Sequence, residues 1–552
     1  MRLGAAAAAL VWTAASLPAR ERYRAALRDP RAAQVALLRN YLLANRETVF
    51  GSVHDFGGIL EDGRRSADDL VAAYQARVPL AAYDDLEPLV TRIAAGEDGV
   101  LTRARVDRLA PSSGSTSAAK LVPQTRESSR ELSRAVDAWI ADLYWRLPRV
   151  MGGPAYWSIT PSVAFDSLAR HTDRPRVPIG FDEDSAYLGG MRQRLVNALL
   201  AVPPDVRLIA DVSAFRYATQ LFLLRARALR LISIWHPSFL LLLLDELETN
   251  AERLLDDLSR GGIDPRLPID DAVRRRLEPM LPAMPSRAHE LRRARDWTAG
   301  AVWPELTAIS CWADGAARPY AARLAAACPG VALQPKGLIA TEAIVSIPFA
   351  GQHPLAVRSH FFEFVDVGGG VRLADQLDAG EEYAVVVTTG SGLYRYRLGD
   401  RVRVDGYVGA TPSIRFVGRA DRVSDRFGEK LSDGFVASVL SRVLTDVPPP
   451  RFAMVAPEQT ADGIAYTLLI DPHGSLPHGL ASALERELRG NPHYAWCVEL
   501  GQLRPARVVR VGPNADRAFL DVCVARGQRL GDVKPVALHH ESGWERALGA
   551  RA

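Results

Sequence analysis

Ser112-Ser113-Gly114-Ser115-Thr116-Ser117-Ala118-Ala119-Lys120 is the stretch whose reading organises the rest of this chain. Apolar residues flank it, Leu109-Ala110-Pro111 before and Leu121-Val122 after, so it reads as a loop joining two strands. A glycine set among hydroxyl residues lets backbone N–H groups turn inward, and the hydroxyls add donors. Such a loop can cradle the β- and γ-phosphates of ATP, and the closing lysine supplies a compact point charge. The spacing is not that of a Walker A loop, because GxxxxGK[ST] is absent. By composition alone a flexible Ser-rich turn explains it equally well.

Working outward, residues 127 to 147 carry Leu132, Val136, Trp139, Leu143 and Leu147 at steps of three and four, the mark of an amphipathic helix. Upstream, 31 to 48 and 66 to 76 predict helices, the first ended at Phe50-Gly51. Downstream, 190 to 330 read as mainly helical, with LLLLL at 240 to 244 in a buried helix. From about 330 the period becomes strand-like: VALQ, LIATEAIVSIPF, HFFEFV, EYAVVVTT, LYRYRLGDRVRV and SIRFVG are separated by Gly or Asp turns. After about 425 the pattern is helix (433 to 444), strands (452 to 456 and 465 to 470), helix (479 to 489) and strands (about 504 to 511 and 519 to 524). The expected fold is α/β, with a large domain at 1–425 of mixed sheets and a β-rich portion. A small α+β C-terminal lid domain at 426–552 completes it.

Composition narrows the function. The 552 residues are 48% hydrophobic and 24% charged, ordinary for a globular protein, and the net charge of +4 is small for this length. Arginines are scattered among acids and form no basic stripe, so no nucleic-acid partner is expected. Lysines are few. Cys311, Cys328, Cys497 and Cys523 have no zinc spacing and read as small buried residues of a reducing compartment. The N-terminal MRLGAAAAALVWTAASLPAR fits either a short leader peptide or, as preferred here, an amphipathic helix with Leu10, Val11, Trp12 and Leu17 on its apolar side. No membrane partner is expected. The most apolar stretch, 231 to 244, contains His236 and Pro237 and falls short of the about 20 residues a span needs.

Two further motifs complete the chemistry. Thr341-Glu342 ends a predicted strand. One carboxylate beside a triphosphate is what Mg²⁺ needs, since that ion takes one or two protein carboxylates and keeps water and phosphate oxygens. The other is Tyr394-Arg395-Tyr396-Arg397-Leu398-Gly399-Asp400, followed by Phe416-Val417-Gly418-Arg419-Ala420-Asp421.

The order of the 112–120 loop resembles the phosphate loop of the acyl-adenylate-forming superfamily. YRYRLGD, GEKLSD at 428 to 433, ALRDPRAAQ and VPLAAYDDLEP narrow the resemblance to the auxin-responsive promoter family of acyl-acid amido synthetases, over about residues 20 to 545. The Ala- and Arg-rich style is similar to that of a bacterial member. The resemblance implies that the loop residues Ser112, Ser113, Gly114, Ser115, Thr116, Ser117 and Lys120 bind ATP. It also implies that Thr341 joins the nucleotide site and that Glu342 holds Mg²⁺. Asp400 would accept the ribose hydroxyls, and Arg419 would contact phosphate or ribose ahead of a hinge at 419 to 428. Lys430 would contact the nucleotide from the lid. Lys534, in Gly531-Asp532-Val533-Lys534-Pro535, would stabilise charge between the α-phosphate and the substrate carboxylate. The family's aromatic before Thr-Glu is replaced by Leu338, which removes a stacking partner for adenine. Trp139, Tyr144, Trp157, Trp235 and Phe239 are the candidate acyl pocket, and they also fit plain core.

The expected activity is ligation: ATP and a hydrophobic or aromatic carboxylic acid give an acyl-adenylate, then an amine, an amino acid by the resemblance, takes the acyl group. The expected location is cytoplasmic. Two other readings stay open: a thiol acceptor, CoA or a carrier protein, and a nucleotide-binding protein without ligase activity.

Overall fold

A computed structural model describes residues 2–64, 66–111, 120–158, 177–179, 196–294, 297–419, 423–424, 426–427, 429–526, 528 and 533–550. The expected phosphate loop, 112–119, lies outside the described residues, as does much of the expected hinge.

The loop's flanks are strands, as read: β1 (Val106–Pro111) and β2 (Leu121–Thr125) pair antiparallel. Thr125 then caps the helix Arg126–Arg146, its Oγ1 accepting from Ser128 N at 3.1 Å. The N-terminal segment forms a helix, Arg2–Ala26, packed on Arg126–Arg146. Its buried face is not the expected one. Ala5, Ala8, Ala9, Trp12 and Ser16 are buried, whereas Leu10, Val11 and Leu17 are exposed. Small residues at steps of three and four allow the two helices to approach closely. The helix expected at 31 to 48 is Pro30–Asn45, and Thr48 caps a further short helix, Val49–Val53.

Residues 155 to 335 hold a parallel sheet in the order β3 (Ala155–Trp157), β4 (Leu231–Ser233), β5 (Ala308–Cys311) and β6 (Ala332–Pro335). Only β6 was expected. β3 lies ahead of the region read as helical and β4 and β5 lie within it; at three or four residues each they are too short to print a period of two. LLLLL lies in the helix Pro237–Thr249, where Leu240 to Leu243 are buried.

The strand-like region forms an antiparallel sheet, order β11-β10-β9-β7-β8, from β7 (Phe361–Val365), β8 (Val371–Leu373), β9 (Glu382–Thr388), β10 (Tyr396–Val408) and β11 (Thr411–Arg419). LIATEAIVSIPF is not a strand. The chain doubles back there: Val345 N and Ser346 N donate to the Leu338 carbonyl, and Ala340 N to the Ala343 carbonyl. A Cβ on Gly337 would stand 2.1 Å from the Ser346 carbonyl oxygen, so only glycine permits this return.

Toward the C-terminus β12 (Val423–Ser424) pairs with β13 (Leu431–Ser432). β14 (Phe452–Thr460), β15 (Gly463–Asp471) and β16 (Leu503–Arg510) form a three-stranded sheet under the helices Asp433–Val443 and Leu480–Leu488. The strand expected at 519 to 524 is instead the helix Ala515–Ala525, with Ala515, Phe519, Leu520 and Cys523 buried on one face. Together with Phe452 and Trp544 these residues form a cluster that includes Leu242 from the LLLLL helix, so the C-terminal part rests on the parallel-sheet part. All four cysteines are buried and none forms a disulfide.

Candidate active site

In a parallel sheet, strand dipoles and loop geometry open a crevice at the carboxyl ends of the strands. Here three neighbouring strands end at chemically distinctive residues. Trp312 N, just past β5, donates to the Trp235 carbonyl just past β4, at 2.9 Å. Lys336 N, just past β6, donates to the Cys311 carbonyl at 2.8 Å. The ladder thus continues one step beyond the strands and lines up Trp235, Trp312 and Lys336 along one edge.

Past Lys336 the Gly337 turn carries Thr341-Glu342 at its tip, half-buried. Burial pushes the Glu342 carboxyl up from its ordinary value and Asp400 adds to it, while Arg419 and Lys120 oppose. Three residues from distant parts of the sequence therefore act on Glu342. β10 shows how Asp400 arrives: its inward positions read Tyr396, Leu398, Asp400, Val402, Val404, and one of the five is a carboxylate. Arg419 is its cross-strand partner on β11, with Nη1 3.4 Å from Asp400 Oδ1. Lys120 extends over the Tyr83 ring, 5.9 Å from its centroid, and Tyr83 Oη accepts from Leu121 N at 2.7 Å. Tyr83 thereby fixes the chain where it leaves the 112–119 loop.

Among the described residues no cluster of three His, Cys, Asp or Glu forms a ready-made metal cage. One carboxylate at a turn, with Asp400 near, suits Mg²⁺, which completes its shell with phosphate and water. A dication there would also reverse the upward push on Glu342.

Lys534 is exposed, its Nζ 5.9 Å from the Trp312 ring centroid. Its charge acts on buried His236, which burial first of all pushes down to about 3. Trp312 packs edge-on against Phe416, 5.4 Å between centroids, three residues before Arg419. Lys534 and the Glu342 group therefore share one edge of the molecule. Lys430 stands exposed at the start of β13 with left-handed backbone. Leu338 is buried in the first core cluster.

The aromatic candidates divide. Trp139 and Trp235 come together around Lys336, 5.8 and 4.6 Å from its Nζ to their ring centroids. Trp157 packs on Trp12, Tyr144 is buried in the first core cluster, and Phe239 packs against the second. Sequence reading passed over Tyr83, His236, Trp312 and Lys336. For Lys336 a signal existed: only four lysines, 120, 336, 430 and 534, occur among 68 basic residues, and the other three were singled out by motif.

The GH3 family N-terminal domain matches residues 19–333 and the GH3 family central domain matches 353–419. Indole-3-acetic acid-amido synthetase GH3.8 of Oryza sativa subsp. indica is 25% identical over 507 residues, covering 84% of this chain and 82% of that protein. Indole-3-acetic acid-amido synthetase GH3.4 of Arabidopsis thaliana is 24% identical over 421 residues, covering 71% and 67%. Among solved structures, AtGH3.15 acyl acid amido synthetase in complex with 2,4-DB has the same fold, with a TM-score of 0.80 at 18% identity over 98% of this chain and 96% of that one. With one domain matched across more than half its length and a second directly after it, this chain belongs to the GH3 family.

Proposed function

We propose that this chain is an ATP-dependent acyl-acid amido synthetase. The observation that carries the reading is the turn at which Asp400, Arg419 and Lys120 all act on Glu342. The first step joins a carboxylate oxygen of the acid to the α-phosphorus of ATP and expels pyrophosphate. In the second an amine, an amino acid as in the relatives' names, attacks the acyl carbonyl and AMP leaves.

The residues divide the work by their chemistry. Ser112, Ser113, Gly114, Ser115, Thr116, Ser117, Lys120 and Thr341 bind the triphosphate end. Asp400 takes the ribose hydroxyls, two donors that suit one carboxylate, and Arg419 holds Asp400 or phosphate. Glu342 holds Mg²⁺, which neutralises phosphate charge. Lys534 stabilises the charge that develops as the α-phosphate is attacked. Lys430 contacts the nucleotide when the lid, 426–552, turns about a hinge within 419–428 on the domain 1–425. Trp139 and Trp235 form a wall of the acyl pocket.

Four buried thiols and the lack, among the described residues, of a helix long and apolar enough to cross a membrane support a cytoplasmic reading. Even charge supports small-molecule partners without nucleic acid or membrane. An Ala- and Arg-rich composition supports a bacterial source, although the relatives named above are from plants.

The test is ATP–pyrophosphate exchange across a carboxylate library with Mg²⁺. Products are then weighed after adding all common amino acids and CoA together. Exchange followed by an amide mass is expected. An acyl-CoA mass with no amide, or ATP binding with no exchange for any acid, overturns the reading.

A further inference from the structure

Lys336 is 94% buried by its 6% exposure, yet among the described residues no carboxylate, carbonyl or hydroxyl bonds its Nζ. Its neighbours are the faces of Trp235 and Trp139, at 4.6 and 5.8 Å, and the thiol of Cys311. Trp139 is held in place from β6 itself, its Nε1 donating to Gln334 Oε1 at 3.0 Å. Nor does Nζ belong to the fully enclosed polar atoms without a partner, which include Ser310 Oγ and His236 Nε2, so the amine tip is not wholly sealed. Trp235, over whose ring it lies, is 41% exposed.

A merely structural residue here would be apolar. Burying an ammonium costs several kcal/mol unless a counter-charge answers it, and methionine would fill the same slot between two indoles without that cost. Arginine serves as the cation almost everywhere else in this chain, so a lysine kept at this place points to a use for a compact ammonium. Burial pushes its amine down to about 7, and no carboxylate opposes that push. Asp400, Arg419 and Lys120, which act on Glu342, are not among the charges that act on Lys336.

We propose that Lys336 is a specificity-determining residue that selects an aromatic acid bearing a second anionic oxygen, carboxylate or phenolate, at the end remote from the carboxylate that is activated. The two indoles take the ring and the ammonium takes the oxygen. This rests on the acyl-pocket reading of Trp139 and Trp235 given above.

The test uses the full chain, its Lys336→Met and Lys336→Arg variants, and matched pairs of ring acids: benzoate and phenylacetate against the same rings with a second carboxylate or a hydroxyl. Binding is read as the rise in Tm that each acid causes, which needs no catalysis, and activation as pyrophosphate exchange. A charge-assisted hydrogen bond of this kind is worth about 10- to 100-fold in affinity. Lys336→Met is expected to lose that factor for the doubly substituted acids and to keep or improve binding of the plain ones, whereas Lys336→Arg, with a broader planar cation in place of the compact ammonium, is expected to recover only part of it. If Lys336→Met binds both members of each pair in the wild-type ratio, or if no acid raises the wild-type Tm, the proposal fails. Selective Tm shifts that vanish in Lys336→Met without any pyrophosphate exchange would uphold the selectivity and overturn the ligase reading instead.

Discussion

Arg395 and Glu363 form a buried ion pair joining β7 to the turn that precedes β10, with Arg395 Nε 3.0 Å from Glu363 Oε2 and Nη2 3.0 Å from Oε1. The same guanidinium donates to the carbonyls of Gln75 and Val78, at 3.0 and 2.7 Å. Its backbone is left-handed, φ 44°, and its carbonyl accepts from Ala81 N. The first arginine of YRYRLGD is therefore a clamp between the antiparallel sheet and the helix Ala67–Arg77, and Asp400 is the motif's inward-facing carboxylate at the candidate site.

Glu363→Gln is expected to destabilise the protein by about 3–5 kcal/mol, because it leaves the Arg395 charge buried without its counter-ion. Urea unfolding measures it. The double replacement Glu363→Leu with Arg395→Met should recover part of the loss, and a loss under about 1 kcal/mol for the single variant would refute the clamp.

Glu342→Ala and Lys534→Ala are expected to lower the rate of pyrophosphate exchange by about 10²- to 10³-fold each, as removal of one preorganised charge does. Lys534 is exposed, so its variant should melt as wild type does. Near-normal exchange by Lys534→Ala would remove it from the chemistry.

Lys336 also makes stability depend on pH in a stated direction. Its folded pKa, about 7, lies below the unfolded value of about 10.4. Between those values the unfolded chain binds more protons, so the contribution of this residue to stability rises with pH across that window. Lys336→Met lacks the effect. Its stability advantage over wild type should be largest near pH 6.5 and shrink toward pH 10, as followed by urea midpoints. A gap that stays constant from pH 6.5 to pH 10 would show that the buried amine keeps its proton across that window.

Gly434 and Gly418 meet where β11 ends against the helix Asp433–Val443. A Cβ on Gly434 would stand 2.5 Å from the Val417 carbonyl oxygen, and one on Gly418 would stand 2.8 Å from Gly434 Cα. Gly434→Ala is expected to lose about 1–3 kcal/mol by overpacking, seen as a fall in Tm. It should also change the two half-reactions unequally, because the contact sits beside the expected hinge. Equal loss in both half-reactions would detach this contact from lid movement.

The features legible along the chain are those that short-range chemistry writes into a few consecutive residues. The helix Arg126–Arg146 repeats its apolar side chains every three or four positions, β10 alternates inward and outward over thirteen residues, and the turn chemistry around Tyr394–Asp400 is local. Motif order, read through the family resemblance, named Lys120, Glu342, Asp400 and Arg419 together, and in the fold the other three all act on Glu342. Short apolar runs carry no such record. AFLDVCV fits a strand or a buried helix equally, and packing of Phe519 and Cys523 under Trp544 settled it as a helix. The three-residue strands β3 and β4 are defined by their neighbours in the sheet. Lys336 shows the limit most plainly. Trp139, Trp235 and Lys336 follow one another along the chain at intervals of about a hundred residues, and nothing local in any of the three segments encodes the box they make. Only the side-by-side carboxyl ends of β4, β5 and β6, with Trp139 of the helix Arg126–Arg146 bonded to Gln334 on β6, put one ammonium beside two indoles.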